Sequence, residues 1–193
     1  MPHLRQLVIG AEAPGRLASF YQEVFELEKI DDIKGAAFLS DATFNLALVP
    51  EADPQKQGFK HLSFDTARPD SIRKKLAHVN GAEANLVEVD SLAGISHELR
   101  DPDGNIIGIC HRAFDVGYQQ RPVPIRHIAL YTPKPQEMAD FYCKVFDMKE
   151  VERTDRSSIF VSDGYINLAL LYQRKEEPIG LNHFGFHVKS NEE

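Results

Sequence analysis

Two histidines occupy matching positions in two segments of this 193-residue chain. His127 and His183 each lie where apolar residues alternate with polar or small ones, which is the pattern of a half-buried strand. Two positions later, on the same face, His127 is followed by Ala129 and His183 by Gly185. An imidazole beside a very small residue leaves room for a bound ion or small molecule.

Neutral imidazole nitrogen is a common ligand of divalent transition metals. A single histidine on a sheet face is more often structural, but the equal phase of His127 and His183 in two strands favours a shared role. Two bonds of about 2.1 Å to one ion require imidazoles within roughly 6 Å of each other, and we expect these rings to meet that limit. Asn167 is predicted to face the same side of the sheet, where it hydrogen-bonds either a ligand or backbone groups.

An internal repeat relates the two parts of the chain. The segment Phe20–Phe25, with sequence FYQEVF, returns as FYCKVF at Phe141–Phe146, an offset of 121 residues. His61 corresponds to His183 at an offset of 122, so the register changes by one residue. The chain is therefore predicted to contain two homologous halves.

The elements of each half form βαβββ units. Apolar residues between Leu17 and Phe25 have the spacing of one helix face, which predicts a helix over Pro14–Glu28, and a second helix is predicted over Asp70–Val79. A third unit is predicted to run from Ile125 to about Gln173. The main predicted strands are Leu4–Ile9, Ile30–Ile33, Ala36–Ser40, Phe44–Val49, Lys60–Asp65, Asn85–Val89, Ile95–Arg100, Ile106–Arg112, Ile125–Tyr131 and Leu181–Val188.

This element order predicts an α+β fold of tandem βαβββ modules, whose curved mixed sheets form a cleft. The first domain is expected to span residues 1–116 and to hold two units. Residues 117–124 contain two prolines and two glutamines and are predicted to form a linker. The second domain is expected to span residues 125–193, with one unit and the first strand of another, so that its last module is truncated.

Composition excludes several classes of function. The net charge is −7 with no basic block, which argues against nucleic acid as a partner. No apolar run approaches the roughly 20 residues of a membrane span, and we expect a cytoplasmic protein that does not contact membranes. Cys110 and Cys143 lie in separate repeats and are interpreted as reduced thiols.

These features together resemble the vicinal oxygen chelate superfamily, which includes glyoxalase I, the bleomycin and fosfomycin resistance proteins and the type I extradiol dioxygenases. The features are the βαβββ units, the Phe-Tyr pair of each repeated helix, and the phrases Ile125–Leu130 and Leu181–Phe186. They cover essentially the whole chain. The two-domain layout is most similar to the extradiol dioxygenases.

The resemblance implies a divalent metal ion held by His127, His183 and a carboxylate. The expected ion is Fe(II) or Mn(II), with Zn(II) or Ni(II) as alternatives. The carboxylate is expected beyond Glu193 or on a partner chain. The implied substrate is a small molecule that chelates the ion through two neighbouring oxygens. The residues expected to contact this substrate are Asn167, Ala129 and Gly185.

The first domain is identified as a degenerate copy of this site. Its corresponding positions are Gln6, His61 and Gly108, and glycine supplies no ligand atom, so no metal is expected between Gln6 and His61. In the second domain Ile166 stands where the dioxygenases typically carry a histidine that handles protons. Isoleucine cannot transfer a proton. Isomerase or lyase chemistry of the glyoxalase kind is therefore an alternative to ring cleavage.

Three functions remain open from the sequence. The first is a metal-dependent enzyme of the glyoxalase or dioxygenase type, the second a non-catalytic ligand-binding protein of the resistance type, and the third a truncated pseudoenzyme. Without further strands the segment Leu181–Val188 would leave apolar area and backbone groups uncovered. A homo-oligomer is therefore expected, with the second domain in its interface.

Overall fold

The fold is given by a computed structural model that describes residues 1–80, 86–110, 123–175 and 177–188. No helix in these ranges is long and apolar enough to cross a membrane. The elements in chain order are β1 (His3–Ala11), α1 (Pro14–Phe25), β2 (Glu28–Ile33), β3 (Ala36–Ser40), β4 (Asn45–Pro50), a short 3-10 helix (Pro54–Lys56), β5 (Gly58–Asp65), α2 (Pro69–Asn80), β6 (Val87–Glu88), β7 (Ile95–Arg100), β8 (Ile106–Cys110), β9 (Ile125–Thr132), α3 (Pro135–Phe146), β10 (Lys149–Arg153), β11 (Ile159–Ser162), β12 (Asn167–Tyr172) and β13 (Gly180–Phe186).

The strands form two mixed sheets, which confirms the predicted α+β class. The first sheet has the order β2-β3-β4-β1-β5-β8-β7-β6, in which β1 runs parallel to β4 and antiparallel to β5. The second has the order β10-β11-β12-β9-β13, with β9 parallel to β12 and antiparallel to β13. The first sheet thus holds two βαβββ units joined at β1 and β5. The second holds one such unit and β13, which pairs with β9 as β5 pairs with β1.

The helices that begin the two repeats end in the same way. The sequence predicts α1 as far as Glu28, but the helix ends at Phe25 because Glu26 adopts the left-handed conformation (φ 55°) and its N–H bonds the carbonyl of Tyr21. Asp147 ends α3 with φ 60° and a bond to Tyr142. No glycine or proline follows the carboxyl-terminal end of α1 or α3, so the sequence contained no signal for where these helices end.

The two halves share one hydrophobic core, in which each repeated helix packs on a strand of the other half. The ring of Phe25 in α1 stacks on Phe186 of β13, with 3.9 Å between the centroids. The corresponding pair is Phe146 of α3 on Phe64 of β5, at 3.8 Å. The repeat therefore relates the inter-half contacts as well as the elements.

Two buried carboxylates join the halves in a reciprocal way. Asp163 Oδ2 accepts the N–H of Leu4 at 2.8 Å, and Asp41 Oδ2 accepts the N–H of Ile125 at 2.7 Å. Burial raises the pKa of the Asp41 carboxyl, while backbone N–H groups and the charge of Arg126 act in the opposite direction. Each half thus holds the start of the other half's first strand, at positions that the repeat makes equivalent.

Some predicted boundaries cannot be compared with the structure. The linker at 117–124 lies mostly outside the described residues, and the division into domains at 116 and 125 stays a prediction. The strand predicted at Asn85–Val89 comprises Val87–Glu88 among the residues described there. Strand β13 ends at Phe186, so Val188, the predicted last residue of this strand, lies outside it and is exposed.

One face of α1 is uncovered although its counterpart is buried. Phe20 and Val24 are 49% and 55% exposed, whereas the corresponding Phe141 and Val145 of α3 are 1% and 0% exposed. Helix α2 packs against α3, and no described helix takes that position on α1. Strand β13 likewise has no partner on its outer edge among the described strands.

Candidate metal centre on the second sheet

His127 and His183 come together in the structure. The parallel register of β9 and β12 places His127 beside Asn167, and the antiparallel register of β9 and β13 places it opposite Gly185. The same register sets His183 opposite Ala129. The two imidazole rings lie 5.1 Å apart between centroids and are tilted by 33°. This ring separation is within the limit of about 6 Å expected for two imidazoles that bind one ion.

A β-bulge in β13 sets the position of the His183 side chain. The pairing of β13 with β9 shifts register between Leu181 and His183, so that Asn182 is an extra residue. Asn182 and His183 therefore depart from strict alternation, and Asn182 Oδ1 contacts His183 Nδ1 at 2.5 Å. The corresponding strand of the first half has its bulge at Lys60, whose Nζ instead bonds Glu51 at 2.7 Å. The apolar–polar alternation of the sequence could not predict this contact, because the bulge interrupts that alternation.

The ring of His127 is held by a polar neighbour and kept neutral by its surroundings. Its Nδ1 lies 3.1 Å from Asn167 Oδ1. Partial burial lowers the pKa of His127, the hydrogen bond with Asn167 opposes that effect, and the nearby charge of protonated His183 adds to it. A neutral imidazole keeps one nitrogen lone pair for an ion.

The small residues make room for the rings. A Cβ built on Gly185 would lie 3.4 Å from His127 Cβ and 3.8 Å from its Cδ2, so the ring of His127 lies against this glycine. Ala129 is fully buried opposite His183. Asn167, Ala129 and Gly185 therefore all adjoin the two histidines, and their contact with a substrate stays a prediction.

The donor set in the described part of the chain consists of two nitrogens. Within residues 1–80, 86–110, 123–175 and 177–188, no group of three His, Cys, Asp or Glu side chains could hold a metal ion. The carboxylate expected as a third ligand was placed beyond Glu193 or on a partner chain, outside those ranges. Ile166 is fully buried in the core, so it contributes packing.

The corresponding positions of the first sheet carry side chains with different partners. Gln6 is buried, and its Oε1 accepts the hydroxyl of Ser63 at 3.1 Å. His61 is 7% exposed, its Nε2 has no partner among the described residues, and burial lowers its pKa to about 4. The strand register is the same on both sheets, because β1 and β5 pair Gln6 with Ser63 and His61 with Val8, so the difference lies in the side chains and their partners.

Apolar side chains occupy the space that a ligand would need on the first sheet. A Cβ on Gly108 would lie 2.5 Å from Ile95 Cγ2 and 2.9 Å from Ser63 Oγ. Ala93, from the loop before β7, packs with Val8 and other buried residues on this face. The sequence held one signal of this filling, since valine and serine here replace the alanine and glycine of the second half.

Comparison with known proteins bears on the second half directly. The family model described as Glyoxalase/Bleomycin resistance protein/Dioxygenase superfamily matches residues 125–193. These residues are therefore similar to that superfamily. A search of the curated proteins found no match.

Solved structures of several enzymes share the fold over nearly the whole chain. The Mn(II)-bound glyoxalase of Novosphingobium aromaticivorans aligns with a TM-score of 0.69 and 19% identity, over 94% of this chain and 64% of that chain. The 2,2',3-trihydroxybiphenyl 1,2-dioxygenase of Sphingomonas wittichii aligns with a TM-score of 0.68 and 14% identity, over 98% and 74% of the two chains. A variant of homoprotocatechuate 2,3-dioxygenase from B. fuscum gives 0.68 and 16%, over 95% and 56%.

The superfamily resemblance inferred from the residues is thereby confirmed. At these identities the likeness to solved structures shows the fold alone. The chain spans 64% of the Novosphingobium glyoxalase, so activity, substrate and ion are matters of proposal.

Proposed function

We propose that this chain acts as a metal-dependent enzyme of the glyoxalase or extradiol dioxygenase type. Its substrate would be a small molecule that chelates the ion through two neighbouring oxygens. The observation that carries this proposal is the convergence of His127 and His183, with 5.1 Å between ring centroids, on the sheet whose sequence matches the superfamily.

The donor set fits a divalent transition metal. Imidazole suits Fe, Zn, Ni and similar ions, and His127 and His183 would hold the ion through the nitrogens that their asparagine neighbours leave free. Fe(II) or Mn(II) is the proposed ion, with Zn(II) or Ni(II) as alternatives, and the Mn(II) of the Novosphingobium glyoxalase supports this choice. When bound, such an ion supplies Lewis-acid stabilisation of negative charge on substrate oxygens.

The chain's own residues would prepare the site for that chemistry. Lowering of the His127 pKa keeps the ring neutral and able to bind at physiological pH. Gly185 and Ala129 leave space around the rings, and the half-buried Asn167 is close enough to contact a bound molecule as well as His127. The third ligand is proposed to be a carboxylate outside the described residues.

A second copy of the chain is the proposed partner. The uncovered apolar face of α1 and the unpaired outer edge of β13 lie on neighbouring elements, and association would cover both. In such a homo-oligomer the second half would contribute to the interface. A carboxylate of the partner could then approach His127 and His183.

A non-catalytic ligand-binding role is the second candidate, favoured by one residue. Ile166 stands where the dioxygenases typically carry a proton-handling histidine, and it is a buried core residue here. Binding of a catechol or hemithioacetal without turnover would favour this role over the enzyme. Turnover of either compound would favour the enzyme.

Metal binding by the purified chain tests the proposal. Anaerobic titration with Fe(II) and Mn(II), followed by calorimetry, should give one site per chain. His127→Ala and His183→Ala should each lower the affinity at least tenfold, because each removes one of two described ligands. His78→Ala, on the exposed surface of α2, is the control and should leave the affinity unchanged. Equal affinity in all four proteins would contradict the proposal.

A further inference from the structure

We propose that Asn167 and Asn182 are positioning residues, which hold the Nδ1–H tautomers of His127 and His183 so that both Nε2 atoms are available to one ion. The inference rests on the proposed metal-binding function, and it concerns residues for which the sequence predicted no such role. Its basis is that both imidazoles meet a carboxamide oxygen at the same ring atom.

Hydrogen-bond chemistry fixes what these contacts require. A carboxamide oxygen can only accept a hydrogen bond, so hydrogen bonds from the ring nitrogens to Oδ1, at 3.1 Å in His127 and 2.5 Å in His183, require the proton on Nδ1. In a neutral imidazole the other nitrogen then presents a lone pair. Histidines that bind metals usually donate their second N–H to a carboxylate, a carbonyl or water, and such partners fix both the tautomer and the orientation of the ring.

The two asparagines reach their histidines by different backbone routes. Asn167 is the direct neighbour of His127 in the parallel register of β12 and β9, so strand pairing sets that contact. Asn182 reaches His183 because the bulge in β13 places consecutive residues close together. Two unrelated features of the backbone thus produce the same contact, at Nδ1, in both rings.

The first half has these backbone features without the histidine contacts. Asn45 occupies the register position beside Gln6, as Asn167 does beside His127, but Gln6 has no tautomer to set. Lys60 occupies the bulge and pairs with Glu51. Within the described residues, the contacts of Asn167 and Asn182 with histidine rings therefore have no counterpart on the first sheet.

Nitrogen NMR of the metal-free chain reads the tautomers directly. Long-range ¹H–¹⁵N spectra at pH 8, with ¹⁵N-labelled histidine, should show Nδ1–H and bare Nε2 in both His127 and His183. Asn182→Ala, at an exposed position, should shift His183 towards the Nε2–H form. Asn167→Leu should do the same for His127, while Asn167→Asp retains an acceptor oxygen and should keep the wild-type tautomer.

Metal affinity provides the second readout, with Zn(II) alone as a diamagnetic probe. Loss of a hydrogen-bond partner behind a ligand typically lowers affinity about 10–100-fold, and that loss is expected for Asn167→Leu and Asn182→Ala. Asn45→Leu, the matched position on the first sheet, should change neither tautomers nor affinity.

Two results would overturn the positioning role. One is an Nε2–H tautomer in wild-type His127 or His183, and the other is unchanged tautomers in both Asn167→Leu and Asn182→Ala. If the wild type shows the expected tautomers but binds no Zn(II), the proposed metal-dependent function fails while the tautomer result still supports positioning. The two failures are therefore distinguishable.

Discussion

At the scale of single residues, burial separates the histidines of the two halves. His127 has a polar partner and a converging ring beside it, whereas His61 is buried among apolar groups with its Nε2 unpaired. Desolvation of the charged form lowers the pKa in both cases, and for His61 it lowers the pKa to about 4. The same residue type in equivalent strands is thus a candidate ligand in one half and a neutral core residue in the other.

His61 should make stability depend on pH. The folded chain keeps the ring neutral down to about pH 4, whereas the unfolded chain protonates it near the ordinary value of 6.5. Between these values the unfolded state binds more protons, so stability is fully present above about pH 6.5 and falls as the pH drops towards 4, by about 2 kcal/mol at pH 5. His61→Leu should reduce the difference between urea unfolding at pH 7.5 and at pH 5.0, while the exposed control His78→Gln should leave it unchanged. An equal pH dependence in His61→Leu and wild type would show that His61 is not the group concerned.

Restoring a carboxylate at Gly108 should fail to create a metal site. The Cβ would meet Ile95 Cγ2 at 2.5 Å, and such overpacking typically costs about 1–3 kcal/mol or more. We expect Gly108→Glu to lower the free energy of unfolding by at least that amount and to bind no added Mn(II) at the first sheet. Gly15→Ala is the control, because its Cβ would meet nothing within 4 Å. A normally stable Gly108→Glu chain that binds one additional Mn(II) would contradict this prediction.

At the scale of elements, local pattern predicted the strands of both sheets and the convergence of His127 and His183. Three features escaped it for physical reasons. The ends of α1 and α3 use non-glycine residues in the left-handed conformation, which no residue type announced. The bulge at Asn182 breaks alternation, and the loop residue Ala93 fills the first sheet through tertiary packing. Pairing between distant segments decides such features, and local periodicity does not record it.

The reciprocal carboxylates should contribute about equally to stability. Replacing Asp163 by Asn puts an amide N–H opposite the N–H of Leu4, and an unpaired buried donor typically costs about 1–3 kcal/mol. Asp41→Asn should cost a similar amount at Ile125, since the repeat makes the two positions equivalent. Chemical unfolding measures both variants, with the exposed Asp155→Asn as control. A large loss in one variant and none in the other would contradict the pseudo-symmetric interpretation.

At the scale of the whole molecule, the repeat shows which surface lacks the cover that its counterpart has. Helix α2 packs against α3, whose Phe141 and Val145 are buried, while Phe20 and Val24 of α1 stay about half exposed. Beside them, a groove of about 370 Å³ runs between α1 and β13 and is lined mainly by aromatic side chains. Exposed apolar surfaces are typical of association sites and ligand grooves, which is why the proposed homo-oligomer is assigned to this face.

The proposed homo-oligomer should depend on this surface. Val24→Glu places a charge on the exposed face of α1, and desolvating that charge in an interface would cost far more than the loss of one valine contact. We expect sedimentation at micromolar concentration to show association of the wild type and a monomer for Val24→Glu. Val151→Glu is the matched control, since Val151 is 56% exposed on strand β10, and it should associate as the wild type does.

A monomeric wild type would contradict the homo-oligomer itself. Association of Val24→Glu at wild-type affinity would instead place the contact on another surface, of which the unpaired edge of β13 is the first to test because its backbone groups can extend the sheet into a second copy.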